Sequence, residues 1–249
     1  MSRTTPTPIR DLGHDPVELL DRSALPLDET HRSLLDLRRL HRWLLGHGPL
    51  LRVLRSRLLA GPRRQRLLDL GTGTGDGPAD LAASASRRGV ALAVFGVDRK
   101  LSHLVLGRRL GVPQLRVVAS ATELPFRDSA FDWTVASLLF HHFEPSGKRR
   151  LLAEMRRTSR LGAVIVDLRR SPWTWWLIRL ILPVLGTSAV TRHDGLLSAE
   201  RASTVPEIAE LTSAEPVVEL RHRFPCRYSL VVRGGSIDGP VWQSSAGTN

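Results

Sequence analysis

The stretch Leu67-Leu68-Asp69-Leu70-Gly71-Thr72-Gly73-Thr74-Gly75 decides the fold of this 249-residue chain. Its apolar first half has the composition of a buried strand. The alternating glycines that follow allow a sharp turn and let backbone N–H groups approach a ligand. A helical stretch comes next, at residues 77–88. A strand, a glycine-rich turn and a helix in this order indicate a nucleotide-binding α/β unit.

The spacing of the turn separates two kinds of nucleotide site. Dinucleotide-binding domains carry G-x-G-x-x-G, whereas Gly71, Gly73 and Gly75 follow a G-x-G-x-G pattern. The acidic Asp69 lies two positions before the first glycine. A carboxylate there favours the cationic amino group and sulfonium of S-adenosylmethionine (SAM), which has no pyrophosphate to neutralise. The glycine turn by itself leaves NAD and SAM open.

The second predicted strand ends in another acidic residue. Asp98 follows Gly75 by 23 residues, and a carboxylate at such a strand end can accept hydrogen bonds from both hydroxyls of a ribose. NAD and SAM proteins share this geometry, so Asp98 supports a nucleoside ligand without choosing between them.

Short apolar runs alternate with helical stretches beyond this unit, which is the pattern of a parallel sheet with crossover helices. We predict strands at 66–70, 91–97, 115–119, 131–137 and 163–168, helices near 77–88, 100–110 and 145–160, and two closing strands at 217–224 and 227–233. The predicted fold is therefore an α/β, Rossmann-like sheet of seven mostly parallel strands with helices on both faces.

Additions flank and interrupt this sheet. Residues 1–60 are predicted to form an arm and a helical cap, with Asp28 as an N-cap and Gly46 ending the first helix. Residues 171–200 should form an apolar helix and a polar loop through residues 191–195, serving as a substrate lid. Thr204 to Glu207 has capping-box form. The Gly/Ser-rich residues 234–249 are predicted to be a disordered tail.

The third and fourth strands decide the cofactor. Val118-Ala119-Ser120-Ala121-Thr122-Glu123-Leu124-Pro125-Phe126 and Asp128-Ser129-Ala130-Phe131-Asp132-Trp133-Thr134-Val135-Ala136-Ser137 resemble the "D-A-x-x-L-P-F … S-F-D-x-V" passage of class I SAM-dependent methyltransferases. Over residues 60–170 the chain resembles the quinone-biosynthesis-like family of that class. The resemblance implies that residues 61–233 are a methyltransferase domain with SAM as its cofactor.

The same resemblance places the cofactor. It implies that Asp69 and the turn residues Gly71, Thr72, Gly73 and Gly75 contact the methionine end and that Asp98 binds the ribose. It also implies that Ser120, Ala121 and Thr122 meet the adenine, with Arg99 and Ser137 nearby. The family usually has Asp where this chain has Ser120, so we expect weaker SAM affinity. Arg99 is expected to point to solvent rather than stack on the adenine.

Four further segments resemble a narrower actinobacterial-type subset that is often found beside polyketide or phenolic-lipid genes. They are Phe140-His141-His142-Phe143, Val166-Asp167-Leu168-Arg169-Arg170-Ser171, Val190-Thr191-Arg192-His193-Asp194-Gly195 and His222-Arg223-Phe224-Pro225. This resemblance favours a small, apolar acceptor.

Two histidine pairs are candidates for acid–base chemistry. His141 and His142 follow the fourth strand at the sheet edge where open α/β sheets bind ligands, and one of them could take a phenolic proton. Lining the pocket or capping the next helix is the alternative role. In the second candidate, Asp194 would orient the imidazole of His193, although such a pair is also a common loop feature.

The apolar residues 173–185 are too short to span a bilayer, which takes about 20 residues, and Arg179 interrupts them. Core or lid packing is favoured, and a hydrophobic entrance or contact with a membrane interface is the alternative. The single cysteine, Cys226, leaves no cysteine cluster for zinc or iron–sulfur chemistry. No metal site and a cytoplasmic location, with peripheral contact to the inner membrane face as an option, are expected.

The formal net charge of +12 raises the alternative of nucleic-acid methylation. The basic residues are nearly all arginines scattered along the chain, and no N/D-P-P-Y/F signature follows the fourth strand. The favoured function is therefore methyl transfer to a small aromatic, phenolic, lipid-like or quinone-like acceptor, with oxygen preferred to carbon. A non-catalytic SAM-binding protein is the third hypothesis, and the oligomeric state stays open.

Overall fold

A computed structural model describes residues 18–22, 25–41 and 48–235 of the chain. Within these residues, seven strands form one sheet in the order β3-β2-β1-β4-β5-β7-β6. The first five strands are parallel to one another, whereas β7 runs antiparallel to both β5 and β6. The prediction of a seven-stranded, mostly parallel, Rossmann-like sheet is confirmed.

The elements have the following bounds. The strands are β1 (Arg64–Leu70), β2 (Ala91–Asp98), β3 (Leu115–Val118), β4 (Phe131–Ser137), β5 (Ser159–Leu168), β6 (Val217–Arg223) and β7 (Arg227–Arg233). The α-helices are α1 (Leu27–Leu40), α2 (Gly48–Ala60), α3 (Asp76–Ser86), α4 (Leu101–Arg109), α5 (Pro145–Thr158), α6 (Pro172–Val184), α7 (Ala189–Arg201) and α8 (Val205–Leu211). Single 3-10 turns lie at Leu19–Asp21 and Phe140–His142.

Alternating side chains of the central strands fill two cores, one on each face of the sheet. On β1, Leu68 and Leu70 join the core formed with α5 and α8, whereas Leu67 joins the core formed with α2 and α3. The strands are apolar on both faces because helices cover both. This double burial fixes the register of β1 and so the position of the turn that follows it.

A third apolar cluster lies beyond the carboxyl end of β5 and joins α1, α6 and α7. Ile178 and Leu182 of α6 contribute to it together with Leu40 and Leu168. The N-terminal helix and the segment inserted before β6 therefore pack against each other above the edge of the sheet where the strands end.

Two local expectations for the N-terminal helix and the lid are wrong. Asp28 lies in the first turn of α1, whose N-cap is Pro26, rather than at the N-cap. Residues 191–195 are part of helix α7, not a loop; Ser188 caps this helix by accepting the N–H of Thr191 at 3.2 Å. Gly195 does not break the helix. A Cβ there would lie 2.6 Å from Leu182, so this glycine allows α6 and α7 to pack closely.

The apolar helix α6 differs from the favoured prediction of core or lid packing. Ile178 and Leu182 are buried, but Trp173, Trp176, Leu180 and Val184 are 59%, 54%, 63% and 84% exposed. These four residues are spaced by three or four positions, so they share one face of the helix. Helix α6 therefore packs on one side and presents an apolar surface on the other.

The first residues of the predicted C-terminal tail are ordered. The predicted disorder of 234–249 does not extend to its first two residues, because the N–H groups of Gly234 and Gly235 are bonded to Leu161 and Arg156 carbonyls. The expectations for residues 1–17, Gly46 and residues 236–249 lie outside the described residues. None of the described helices has the length and apolarity needed to cross a membrane.

Candidate functional site

A cavity of about 460 Å³ opens where the parallel strands end. The glycine turn and Asp98 form one part of its lining, and α1, α6 and α7 form another. Most of the predicted site residues line it: Asp69, Gly71, Thr72, Gly73, Asp98, Arg99, Ser120, Ala121, Ser137, His141 and Asp194. Gly75, Thr122 and His193 are not among the lining residues.

The glycine turn has the backbone that its sequence predicts. Gly71, Gly73 and Gly75 have φ angles of 65°, 55° and 85°, in the left-handed region that favours glycine. A Cβ at Gly71 would lie 2.7 Å from the Leu139 side chain, whereas one at Gly73 would meet nothing within 4 Å. Gly73 therefore exposes its backbone to the open cavity, where a ligand can approach it.

Asp98 is held firmly at the end of β2. Its Oδ2 accepts the N–H of Gly73 at 3.0 Å, and its Oδ1 accepts the N–H of Lys100 at 2.9 Å. Burial opposes ionisation, but the hydrogen bonds from His103, Lys100 and Gly73 outweigh it and keep the pKa of Asp98 below its usual value. Asp98 is therefore a fixed, ionised acceptor that also orients the glycine turn.

Asp69 has a different electrostatic environment, although it lies on the neighbouring strand. Burial raises the pKa of Asp69 to about 7, a hydrogen bond from Thr72 opposes this, and the charge of Asp98 adds to it. Two buried carboxylates lie close together here, and a cationic ligand would offset their repulsion. The ammonium and sulfonium groups of SAM provide that charge, and Asp98 offers acceptors for ribose hydroxyls, so these residues fit SAM.

The predicted adenine end is more open. Ser120 is exposed, and its Oγ lies 2.9 Å from the Oγ of Thr122 and accepts the Thr122 N–H at 3.3 Å. The side chain of Arg99 is 62% exposed and pairs with Asp21 at 3.0 Å. The Arg99 guanidinium is therefore directed toward the N-terminal segment, and its orientation relative to the adenine stays a prediction.

His141 lies at the centre of a buried polar cluster. Asp167, at the end of β5, approaches its Nδ1 at 2.6 Å and accepts its backbone N–H at 3.1 Å. On the other side of the ring, Nε2 lies 3.5 Å from Glu18. Burial opposes protonation, but Asp167 and Glu18 outweigh it and raise the pKa of His141 to about 10. The surroundings of this ring therefore stabilise positive charge.

His142 has a parallel arrangement. Its Nδ1 lies 3.0 Å from Asp21, its Nε2 lies 3.5 Å from Glu18, and its ring is 4.4 Å from that of His141. Glu18 thus faces both imidazoles. Both nitrogens of His141 face carboxylates, which favours a ring that already carries both protons. Such a ring has no free nitrogen to accept a proton from a substrate, and the role of His141 as a base stays a prediction.

A short N-terminal segment, residues 18–22, closes one side of the cavity; we call it the strap. Its backbone N–H groups at Leu19 and Leu20 are bonded to Asp194 at 2.7 and 2.9 Å, and Lys100 bonds its carbonyl groups at Leu20 and Arg22. The strap brings Glu18 and Asp21 into the site although they are far away in sequence.

The second predicted pair is only partly in the cavity. His193 Nδ1 lies 3.0 Å from Asp194, as predicted, but His193 is not part of the cavity lining. Burial raises the pKa of Asp194, although hydrogen bonds from His193, Leu20 and Leu19 oppose this. These contacts make Asp194 an anchor for the strap, and its catalytic role with His193 stays a prediction.

Three site residues were absent from the sequence prediction. Asp167 could have been predicted from the sequence, because a carboxylate at the end of a buried strand needs a hydrogen-bonding or charged partner. Glu18 and Asp21 had none, because the strap is too short for any hydrophobic period.

Comparisons with known proteins agree with this geometry. Residues 67–162 match the family model described as a methyltransferase domain. The demethylmenaquinone methyltransferase of Clavibacter sepedonicus is 36% identical over 126 residues, which are 49% of this chain and 48% of that protein. The protein of the same name from Thermus thermophilus is 28% identical over 179 residues, 68% of this chain and 79% of that protein.

Solved structures share the fold at low sequence identity. Magnesium protoporphyrin IX methyltransferase from Synechocystis, with bound S-adenosylhomocysteine, has a TM-score of 0.56 and 11% identity, covering 83% of this chain and 93% of that one. The Burkholderia thailandensis 1,6-didemethyltoxoflavin-N1-methyltransferase has a TM-score of 0.55 and 19% identity, covering 84% and 86%.

The chain therefore carries a class I SAM-dependent methyltransferase domain, as its sequence motifs predicted, and SAM is the cofactor of this class. Several of its curated relatives are demethylmenaquinone methyltransferases. The chain spans about half the length of the first four curated relatives that it matches.

Proposed function

We propose that this protein transfers a methyl group from SAM to a small, apolar aromatic acceptor of the phenol or quinone-like class, with oxygen as the favoured acceptor atom. The observation that carries the proposal is one cavity that joins two unlike linings. The glycine turn, Asp69 and Asp98 suit the cofactor, while α1 and α6 supply leucine and isoleucine side chains. The names of the curated relatives support a quinone-like acceptor.

The apolar lining suits the ring of such an acceptor. Leu34 and Leu37 of α1 and Ile178 and Leu182 of α6 all line the cavity. Apolar walls bind an aromatic ring by removing its surface from water, and they also exclude water from the reacting atoms. Alignment of the acceptor with the methyl group can lower the barrier by roughly 7–11 kcal/mol.

The polar cluster around His141 suits an acceptor oxygen. A phenol has a pKa near 10 when unperturbed, so transfer to its oxygen is faster when a neighbouring positive charge stabilises the phenolate. Asp167 and Glu18 hold positive charge on His141, which lines the same cavity. SAM supplies an activated methyl group on a sulfonium. The protein aligns the acceptor with that group, excludes water from the reacting atoms and places the positive charge of His141 near the acceptor oxygen.

The test is a methyl-transfer assay on the full-length protein with isotope-labelled SAM. We expect label in quinols or phenols carrying an apolar tail and none in RNA. The variant Asp98→Asn should lose most SAM binding by calorimetry, whereas the matched control Asp128→Asn should not, because that side chain is 80% exposed and pairs with Arg157. Label in RNA alone would replace the proposal with nucleic-acid methylation. Binding of SAM without transfer to any acceptor class would favour a non-catalytic protein.

We further propose that the exposed face of α6, formed by Trp173, Trp176, Leu180 and Val184, contacts the surface of an anionic membrane. Indole side chains prefer the interface between lipid and water, and a net charge of +12 attracts acidic lipids. Because the opposite face of α6 lines the cavity through Ile178 and Leu182, this docking would bring the cavity close to an acceptor dissolved in lipid.

A further inference from the structure

Two imidazoles and one carboxylate converge at the wall of the cavity. Nε2 of His141 lies 3.5 Å from Oε1 of Glu18, and Nε2 of His142 lies 3.5 Å from Oε2 of the same carboxylate. One ligand atom from each of the three residues lies within 4.8 Å of the others. All three residues line the cavity, so the point between them is next to open space.

The two separations between Glu18 and the imidazoles match those around a small metal ion. Zinc binds imidazole nitrogen and carboxylate oxygen at about 2.0–2.2 Å, so two ligands of a tetrahedral ion lie roughly 3.3–3.5 Å apart. The nitrogen-to-oxygen distances on both sides of Glu18 are therefore close to those of an ion shared by the three groups. An ion can be bound here with small side-chain movements.

The opposite nitrogen of each ring has its own carboxylate. Asp167 lies 2.6 Å from Nδ1 of His141, and Asp21 lies 3.0 Å from Nδ1 of His142. Histidines that bind metal commonly donate their second N–H to a carboxylate, which fixes the tautomer and turns the other nitrogen toward the ion. Both rings of the pair show this arrangement, and both direct Nε2 toward Glu18.

The charge of the cluster is compatible with a bound cation. Glu18, Asp21 and Asp167 are three carboxylates around two imidazoles, and the side chains of Glu18 and Asp167 are only 6% and 1% exposed. Arg99 pairs with Asp21 at 3.0 Å on the solvent side. Buried carboxylates are costly unless they are paired or coordinate metal. A divalent ion at Glu18 would displace the proton from Nε2 of His141, and the ion would then supply the positive charge that the protonated ring provides in its absence.

We propose that Glu18, His141 and His142 bind one divalent transition-metal cation of the zinc class, with a remaining coordination position facing the cavity. Two imidazole ligands favour zinc and related ions over magnesium, which prefers oxygen ligands. Three protein ligands and one open position are typical of catalytic rather than structural zinc sites. The sequence contains no cysteine cluster, and no metal site was predicted because Glu18 lies on the strap, far along the chain from the two histidines.

The open position has a role that rests on the proposed function. An acceptor hydroxyl bound there would release its proton to solvent more readily, since a bound cation lowers the pKa of its oxygen ligand. That oxygen then forms the bond to the methyl carbon while the bond from carbon to sulfur breaks and its electron pair stays on sulfur. The metal site itself does not depend on this step.

The experiment is a metal titration of the full-length protein after treatment with a chelator, without SAM or acceptor. We expect one equivalent of Zn²⁺ to bind by calorimetry, and one equivalent of Co²⁺ to give a visible absorption band. His142→Ala and the size-conserving Glu18→Gln should each weaken binding by at least about 10-fold, and Asp21→Asn by about 10–100-fold. The control His222→Ala, on an exposed position of β6, should bind normally.

The outcomes separate the site from its role. Thermal unfolding of each variant shows whether it is folded, and Glu18→Gln keeps the test valid if His142→Ala is not. Failure of the wild-type protein to bind Zn²⁺ or Co²⁺, or equal binding by Glu18→Gln and wild type, would overturn the site. Metal binding with methyl transfer unaffected by chelator would keep the site and remove its part in the reaction. Metal binding in a protein that methylates no acceptor would refute only the proposed function.

Discussion

Asp167 contacts His141 twice, with Oδ1 2.6 Å from the ring Nδ1 and Oδ2 accepting the backbone N–H at 3.1 Å. The two residues lie at the ends of neighbouring strands, since β5 ends one residue after Asp167 and β4 ends four residues before His141. The carboxylate therefore fixes both the position and the orientation of the imidazole at the wall of the cavity.

The first prediction concerns this pair. Asp167→Asn leaves a side chain of the same size but removes the buried charge, so it should lower the free energy of unfolding by about 3–5 kcal/mol. It should also lower kcat by about 10²-fold through misplacement of His141, with SAM affinity unchanged. The measurements are denaturant unfolding, steady-state kinetics and SAM calorimetry.

A matched control separates position from stability. Asp132 is also buried and pairs with Arg160 at 2.6 Å, but it lies at the start of β4, at the opposite edge of the sheet. Asp132→Asn should therefore cost stability without lowering kcat. Equal losses of kcat in both variants would contradict a specific positioning role for Asp167.

The second prediction is a pH dependence of SAM binding. Without ligand, burial raises the pKa of Asp69 to about 7, whereas the cationic groups of SAM favour its ionised form. Below pH 7 binding must therefore release a proton, and affinity should fall about tenfold for each pH unit. Affinity should be flat just above pH 7 and fall again above about pH 8, where an α-amino group loses its proton. Calorimetry from pH 5 to pH 9 measures this profile.

Asp69→Asn provides the control for this profile. The variant should bind SAM more weakly at neutral pH and lose the acidic limb. Because the folded pKa of Asp69 is raised from 3.8 to about 7, this group favours the folded state at low pH, and that contribution is lost as the pH rises toward 7 and above. Asp69→Asn without ligand should therefore be more stable than wild type at pH 8. An unchanged acidic limb in the variant would assign the proton to another group.

Local signals in the sequence predicted the strands and the turn that carry the candidate cofactor-binding residues. Leu67 to Gly75 and Asp98 are each set by one strand and the turn after it, and the structure has both strands where the sequence predicted them. The strap is different, because Glu18 reaches His141 across 123 residues of chain and no pattern in either segment encodes the contact. Gly195 shows a second limit of prediction from sequence. A glycine in a polar segment indicates a loop, whereas in the structure Gly195 lies within a helix and allows a close contact with Leu182.

The third prediction tests the departure at Ser120. An ionised acceptor makes a stronger hydrogen bond than a hydroxyl, by roughly 1 kcal/mol, which corresponds to about fivefold in affinity. Ser120→Asp should therefore tighten SAM binding about fivefold. Ser120→Ala should weaken it by a similar factor if Oγ accepts from the adenine. Unchanged SAM affinity in both variants would show that this side chain does not contact the cofactor.

The fourth prediction separates the two roles of the His193 and Asp194 pair. Asp194 accepts the N–H groups of Leu19 and Leu20, so Asp194→Ala should increase hydrogen exchange at these two amides. His193→Ala should change their exchange much less, because the Asp194 carboxylate that accepts both N–H groups is still present. If His193 also serves in acid–base catalysis, its substitution should lower kcat by about 10²–10⁴-fold. Unchanged exchange in Asp194→Ala would contradict the anchoring role.

The last prediction concerns the exposed face of α6. Trp173 and Trp176 are both more than half exposed, and their rings should enter the interfacial region of a bilayer when the helix docks. The double variant Trp173→Ser, Trp176→Ser should therefore weaken co-sedimentation with vesicles containing phosphatidylglycerol by at least about tenfold.

The matched control is Leu115→Ser, because Leu115 is 61% exposed on the edge strand β3, far along the sheet from β5 and α6. High salt should weaken binding of wild type, since acidic lipids attract the basic chain electrostatically. Wild-type protein that stays in the supernatant with both anionic and zwitterionic vesicles would contradict membrane docking.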